Sequence, residues 1–231
     1  MTAILSNLQA VRAAINQAAL LAQRNPPEIT LLAVSKTMPS SALREAHSHG
    51  QRAFGENFVQ EALDKINELR ELPLEWHFIG PIQSNKTRPI AENFDWVHSV
   101  DRLKIAQRLS EQRPPNLPPL NVCLQINISG EASKGGVTPG EAAVLAQAIS
   151  TLPHLKLRGL MAIPAPAEKL ADQRLPFAKM RGLLGQLNSS GLSLDTLSMG
   201  MSHDLTAAIL EGATIVRIGT AIFGARVKPL A

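Results

Sequence analysis

The feature that most constrains this chain is a rhythm. Short, continuous apolar runs alternate with longer stretches of helical periodicity, and the pair recurs eight times. The runs are Thr30–Ser35, Arg52–Phe54, Glu75–Ile79, Asp95–Ser99, Leu120–Ile128, Leu157–Ile163, Thr196–Met199 and Thr214–Ile218. The helical patterns between them are expected near Ser40–His49, Val59–Glu71, Ser84–Asn93 and Arg102–Gln112. Four more follow: one from the capping box Thr138-Pro-Gly-Glu141, then about Leu175–Asn188, about Asp204–Glu211 and a short turn around Ala221. Strands that read as unbroken apolar stretches are buried on both faces, as in parallel sheets covered by helices. Strand–helix alternation of this kind implies a parallel sheet. Eight units predict an α/β fold, a closed (β/α)₈ TIM barrel in one domain spanning residues 1–231. An extra helix leads it, with Leu8, Val11 and Ile15 at helical spacing. An open doubly wound sheet is the alternative; no Gly-x-Gly-x-x-Gly follows the first run, which weakens its dinucleotide-binding form.

Composition narrows the function classes. With 231 residues, 45% hydrophobic and only 18% charged, the chain can bury a large core. The net charge of +4 is scattered rather than clustered, so no nucleic-acid partner is expected. The single cysteine, Cys123, excludes an internal disulfide and sits in an apolar run, where it reads as a small core residue. No uncharged apolar run is long enough to span a membrane, and the N-terminus does not read as a signal peptide. A cytoplasmic protein and a monomer are expected.

In such barrels the site lies where the strands end. Lys36 directly follows the first run. Burial of its stem would disfavour the charged amine and free it to attack an aldehyde; the plain alternative is a lysine reaching out to solvent at the rim. Behind the seventh and eighth runs come Ser202, Gly219 and Thr220, where this fold usually binds phosphate. Their plain alternative is a capped helix and a tightly packed glycine. Arg217 stands inside the apolar run Ile215–Ile218, a costly place unless it is paired or faces a ligand. Asn57 and His77 stand where they could touch a ring, although a histidine in an apolar strand is more often a core residue. His47 and His49 do not share a helical face, so no metal pair is expected. The loop Gly130–Gly136, with Lys134, reads as a mobile segment.

Several segments together resemble one family, in order along nearly the whole chain. They are Leu32–Lys36, Phe54-Gly-Glu-Asn57, Trp76–Gly80 with Gln83–Lys86, His98–Asp101, Asn127–Glu131, Gly159–Met161, Leu197-Ser-Met-Gly-Met-Ser202 and Val216–Gly224. The chain is similar to the pyridoxal phosphate homeostasis proteins, relatives of the barrel domain of alanine racemase. The resemblance implies pyridoxal 5′-phosphate (PLP) as cofactor, held covalently as a Schiff base on Lys36. It implies Arg217 as the partner of the ring nitrogen, and Ser202, Gly219 and Thr220 around the phosphate. Asn57, His77 and Met199 complete the expected cofactor-binding set. It also implies a role in intracellular PLP (vitamin B6) and amino-acid homeostasis without an established reaction.

Three functions remain to be weighed: a PLP-holding regulatory or carrier protein, a racemase-like PLP enzyme, and a phosphate-sugar barrel enzyme without PLP. An arginine at the ring nitrogen makes the ring a poor electron sink. The sequence contains no tyrosine, the residue racemase relatives use as a second base, and no second domain is expected after Ala231. A non-enzyme is therefore expected, with PLP-dependent apoenzymes or a regulatory protein as candidate partners.

Overall fold

The computed structural model describes residues 2–131 and 134–224. Eight parallel strands close on themselves in sequence order, the eighth pairing with the first. They are β1 (Thr30–Val34), β2 (Ala53–Glu56), β3 (Glu75–Phe78), β4 (Trp96–Val100), β5 (Leu120–Gln125), β6 (Leu155–Met161), β7 (Thr196–Ser198) and β8 (Ile215–Ile218). The expected barrel is the fold, and the open sheet is excluded. The helices are α1 (Ala3–Leu21), α2 (Ser40–Ser48), α3 (Val59–Glu68), α4 (Thr87–Asn93), α5 (Leu103–Gln112), α6 (Ala142–Ser150), α7 (Leu170–Ser189), α8 (Leu205–Leu210) and α9 (Thr220–Phe223).

Strand alternation sorts the side chains into two cores. Phe54, Phe78, Val97, Leu197, Val216 and Ile218 point outward into the layer between sheet and helices. Leu32, Ala53, Trp96, Cys123, Met161 and Ile215 pack inside the barrel. The same inward parity on β8, β7, β4 and β3 puts Arg217, Ser198, His98 and His77 inside as well, all buried. The interior is thus partly polar, which has consequences below. The leading helix α1 buries Leu8, Val11 and Ile15, as its spacing predicts, and packs against α8, α9 and α2 across the β1–β8 seam.

Two helix starts differ from the expectation. The Glu141 carboxylate does accept the Thr138 N–H at 2.9 Å, but it also takes the Thr138 hydroxyl at 2.7 Å. With the hydroxyl engaged, Pro139 and Gly140 form a turn, and α6 begins only at Ala142. The other is α7, which begins at Leu170 rather than near Leu175, so Pro176 lies inside it. Proline belongs in a first helical turn. Here the helix tolerates it because Phe177, Met180, Leu183 and Leu187 bury a continuous stripe immediately after it.

Candidate functional site

At the C-terminal ends of the strands a cavity of about 360 Å³ opens into the barrel. It is lined by Lys36, Asn57, Ser202, Arg217, Gly219 and Thr220, among others. Six of the eight expected residues therefore share one wall-to-wall space. The remaining two do not line it. Met199 is wholly buried in the outer core. His77 is buried deeper in the barrel, bonded to its neighbours on both ring nitrogens, and is the satisfied core histidine its setting suggests.

Lys36 follows β1 by two positions, and the residues on either side of it are pinned. The Ser35 hydroxyl donates to Glu56 Oε1 at 2.6 Å, and Lys65 Nζ donates to the Ser35 carbonyl at 2.8 Å. The Thr37 N–H donates to the Glu61 carboxylate, and Thr37 takes a left-handed φ of 66°. Lys65 ties the cluster together, bonding both Glu56 and Glu61. Burial pushes the Glu56 carboxyl above its ordinary value, against the opposing pull of Lys65 and of the Ser35 hydroxyl. The sequence reading missed this clamp. Lys65 looks like the surface partner of Glu61 one turn earlier, yet it sits on the same stripe as Ala62 and Leu69, both buried. That spacing was the available signal.

On β8, the strand next to β1, Arg217 reaches into the same cavity. Its Nη1 donates to Ser198 Oγ at 2.8 Å and its Nη2 to the Ala162 carbonyl at 2.9 Å. Burial lowers its pKa to about 10, with Asp204 pulling the other way. It is still a cation at neutral pH, and its orientation is set by two bonds. Cys123, by contrast, is pushed up to about 12 by burial and is inert as a nucleophile.

The rim is shaped by the loop after β7. The Asp204 carboxylate accepts the Met201 N–H at 2.6 Å, which closes the turn that holds Ser202 exposed at the cavity. Gly200 enters that turn with a φ of 96°, and a Cβ there would stand 2.5 Å from Ala208 Cβ. Across the barrel Gly80 lets β3 approach the Asn57 backbone so closely that a Cβ would meet its carbonyl at 2.1 Å. Asn57 is placed by that contact.

The donor set is chemically specific. One amine lies on the β1 side, two exposed hydroxyls and a side-chain-free glycine lie at the β7–β8 rim, and a guanidinium lies on the floor. That combination fits a planar ring that carries an aldehyde, an anionic group and a basic ring atom. Among the described residues there is no cluster of metal-ligating side chains, and no helix is long and apolar enough to cross a membrane.

Comparison with known proteins gives the family. The family described as "Alanine racemase, N-terminal domain" matches residues 6–227. A pyridoxal phosphate homeostasis protein of Pseudomonas aeruginosa is 66% identical over 226 residues, covering 98% of this chain and 97% of the relative. One from Escherichia coli K12 is 56% identical over 229 residues, covering 98% of both. Among solved structures, PipY of Synechococcus elongatus with PLP bound is 39% identical, with a TM-score of 0.84 over 96% of this chain and 100% of that one. The chain belongs to the alanine racemase N-terminal-domain family and, within it, to the pyridoxal phosphate homeostasis proteins.

Proposed function

We propose that this chain binds PLP in the strand-end cavity and serves PLP homeostasis, not turnover of a substrate. The observation that carries the reading is the convergence of Lys36, Arg217 and the Ser202 and Thr220 hydroxyls on one space. PLP supplies an aldehyde that captures amines and a ring that can accept electrons. The Lys36 amine would join that aldehyde as a Schiff base with loss of water. Ser202, Thr220 and the Gly219 backbone would hold the phosphate. Arg217, a cation held by two bonds, would donate to the ring nitrogen and keep it unprotonated. The PLP-bound PipY relative and the names of the closely similar homeostasis proteins support PLP binding and the homeostasis role. Release of PLP to apoenzymes or inspection by a regulatory protein would follow from the exposed rim.

A racemase needs a base on each face of the ring. Lys36 can act on one. The sequence has no tyrosine for the other, and His203, the histidine at the cavity, is engaged with Asp204 at 3.3 Å. Solvent deuterium entering the α-position of an amino acid at enzyme-like rates would overturn the non-catalytic assignment.

The direct test is borohydride reduction of the PLP-loaded protein followed by peptide mapping. The label is expected on Lys36 and is lost in Lys36→Ala while the protein stays folded. A label on another lysine of the wild type sinks the assignment. Replacing Ser202 and Thr220 together by alanine should weaken PLP binding by about 1.5–3 kcal/mol for each hydroxyl bonded to the charged phosphate. Thermal stability should hardly change, because both side chains are exposed. Equal dissociation constants would refute the cradle.

A further inference from the structure

A buried hydrogen-bonded chain crosses the barrel from the cofactor end to the opposite mouth. Arg217 Nη1 donates to Ser198 Oγ at 2.8 Å. Ser198 Oγ lies 2.7 Å from His98 Nδ1, and His98 Nε2 lies 2.9 Å from His77 Nδ1. His77 Nε2 in turn lies 2.6 Å from Glu75 Oε1. The five residues come from β8, β7, β4 and β3, and only the closed sheet brings them together. All are buried except Glu75, whose side chain is 48% exposed. Glu75 lines a separate open cavity at the N-terminal ends of the strands, with Arg52, Asp95 and Asn121. Trp96 stacks on His77 with ring centroids 5.5 Å apart, and the Arg158 guanidinium lies 4.8 Å above the Trp96 ring. The chain therefore runs through a packed wall.

The acceptor at the far end sets the order of the protons when each histidine carries one. A guanidinium only donates, and an ionised carboxylate only accepts. Ser198 then accepts from Arg217 and donates its single O–H to His98 Nδ1. His98 then carries its proton on Nε2 and donates it to His77 Nδ1. His77 carries its proton on Nε2 and donates to Glu75. In that order every link has one donor and one acceptor, and each ring has one tautomer. Burial independently favours the neutral form of His98, well below 6.5, and the Arg217 cation adds to the effect. The bond from His77 holds the Glu75 carboxyl below its ordinary value, with Arg158 assisting and burial opposing.

We propose that Ser198, His98 and His77 form a proton-ordered relay that positions Arg217 against the cofactor ring and makes the PLP site sensitive to Glu75 at the far mouth. The proposal rests on the reading of Arg217 as the ring-nitrogen partner. Aligned hydrogen bonds between a cation and an anion polarise one another, so loss of the terminal acceptor is felt along the row. The row cannot reverse while Glu75 is ionised and His77 carries one proton, because a reversed His77 would turn a bare Nε2 toward a carboxylate that only accepts. Glu75 does not line the PLP cavity, so its influence there has to travel through the relay or through the field of its charge.

The first test needs no variant and no PLP. In ¹⁵N-histidine NMR spectra of the PLP-free protein at neutral pH, His98 and His77 are both expected as Nε2–H tautomers. An Nδ1–H tautomer of either ring overturns the relay. The second test compares PLP dissociation constants of Glu75→Leu, Glu75→Gln and Arg217→Gln with the wild type. Removing the acceptor in Glu75→Leu should weaken PLP binding roughly five-fold, the low end of ordinary coupling between distant sites. The same change should mix the His98 tautomers. Glu75→Gln keeps an acceptor without the charge and should lie closer to the wild type, which separates the relay from a bare charge effect. An effect of Arg217→Gln with Glu75→Leu unchanged overturns the relay and leaves the PLP assignment standing. No effect of Arg217→Gln removes the assignment of Arg217 itself, and the relay with it.

Discussion

Two buried polar systems adjoin residues that line the same cavity, and they are built on opposite plans. Beneath Lys36, charges meet directly: Lys65 is wedged between Glu56 and Glu61 within one β–α unit. Beneath Arg217, the charges are kept apart, with neutral Ser198, His98 and His77 between the guanidinium and Glu75. The first plan is local and compact. It fixes the backbone around one residue, and its cost falls on Glu56, whose second carboxylate oxygen has no hydrogen-bond partner. The second is long and directional. It leaves the cationic end facing the cavity and the anionic end at the distant mouth. Direct pairing thus suits the placement of an amine, and separation suits the orientation of a cation that must stay charged.

Breaking the compact system should cost most. Lys65→Met strands the buried Glu56 charge, and loss of one partner of such a pair typically costs about 3–5 kcal/mol. Chemical denaturation should show that loss. The double variant Lys65→Met with Glu56→Leu removes the stranded charge and should recover most of the stability. It should not recover PLP affinity, because Ser35 loses both its tethers. Full recovery of PLP affinity would mean that the clamp does not place Lys36.

Interrupting the directional system should cost less. Ser198→Ala leaves an Arg217 donor and the His98 Nδ1 acceptor unpaired, a loss of about 1–3 kcal/mol. A stability loss as large as that of Lys65→Met would show that the two systems are not built differently after all. A loss of PLP affinity exceeding the loss of stability would sharpen the contrast.

The barrel was legible because it is written in a repeated pattern that eight independent runs reinforce. That Lys36, Ser202, Arg217, Gly219 and Thr220 share one cavity was legible because each ends, follows or interrupts a strand of the barrel. The supporting side chains were harder to see. His98 lies in a run that reads as continuous apolar strand, and its partners Ser198 and His77 are far away in sequence. Their proximity exists only after closure, when strand parity turns all three inward. His77 was expected at the cofactor for the same reason, since parity gives the face of a strand and not the depth in the barrel. The late starts and early starts of α6 and α7 were hidden by competition: a carboxylate taking a hydroxyl, and a buried stripe overriding a proline.

The smallest expected effect is on the pH dependence of stability, and it separates the two systems by sign. His98 is held neutral in the fold, with its pKa well below 6.5. Below about 6.5 the unfolded chain binds a proton there that the folded chain refuses. Stability contributed by this site is therefore complete above that pH and is lost as the pH falls. One proton gives a slope no steeper than about 1.4 kcal/mol per pH unit. Glu75, lowered by its bond from His77, adds a loss of the same sign further into acid. Glu56 does the reverse. Its raised folded pKa means that the folded chain takes up a proton before the unfolded chain does, so this site favours the fold as pH falls through its folded value. The His98→Asn variant should flatten the stability profile between about pH 6.5 and 5, the range just below the ordinary histidine value. In Glu56→Gln the acid loss should become steeper, because the opposing contribution is gone. Urea midpoints measured at half-unit pH intervals would resolve both. A His98→Asn profile parallel to that of the wild type between those pH values would show that His98 is not kept neutral and that the chain beneath Arg217 is not ordered from cation to anion.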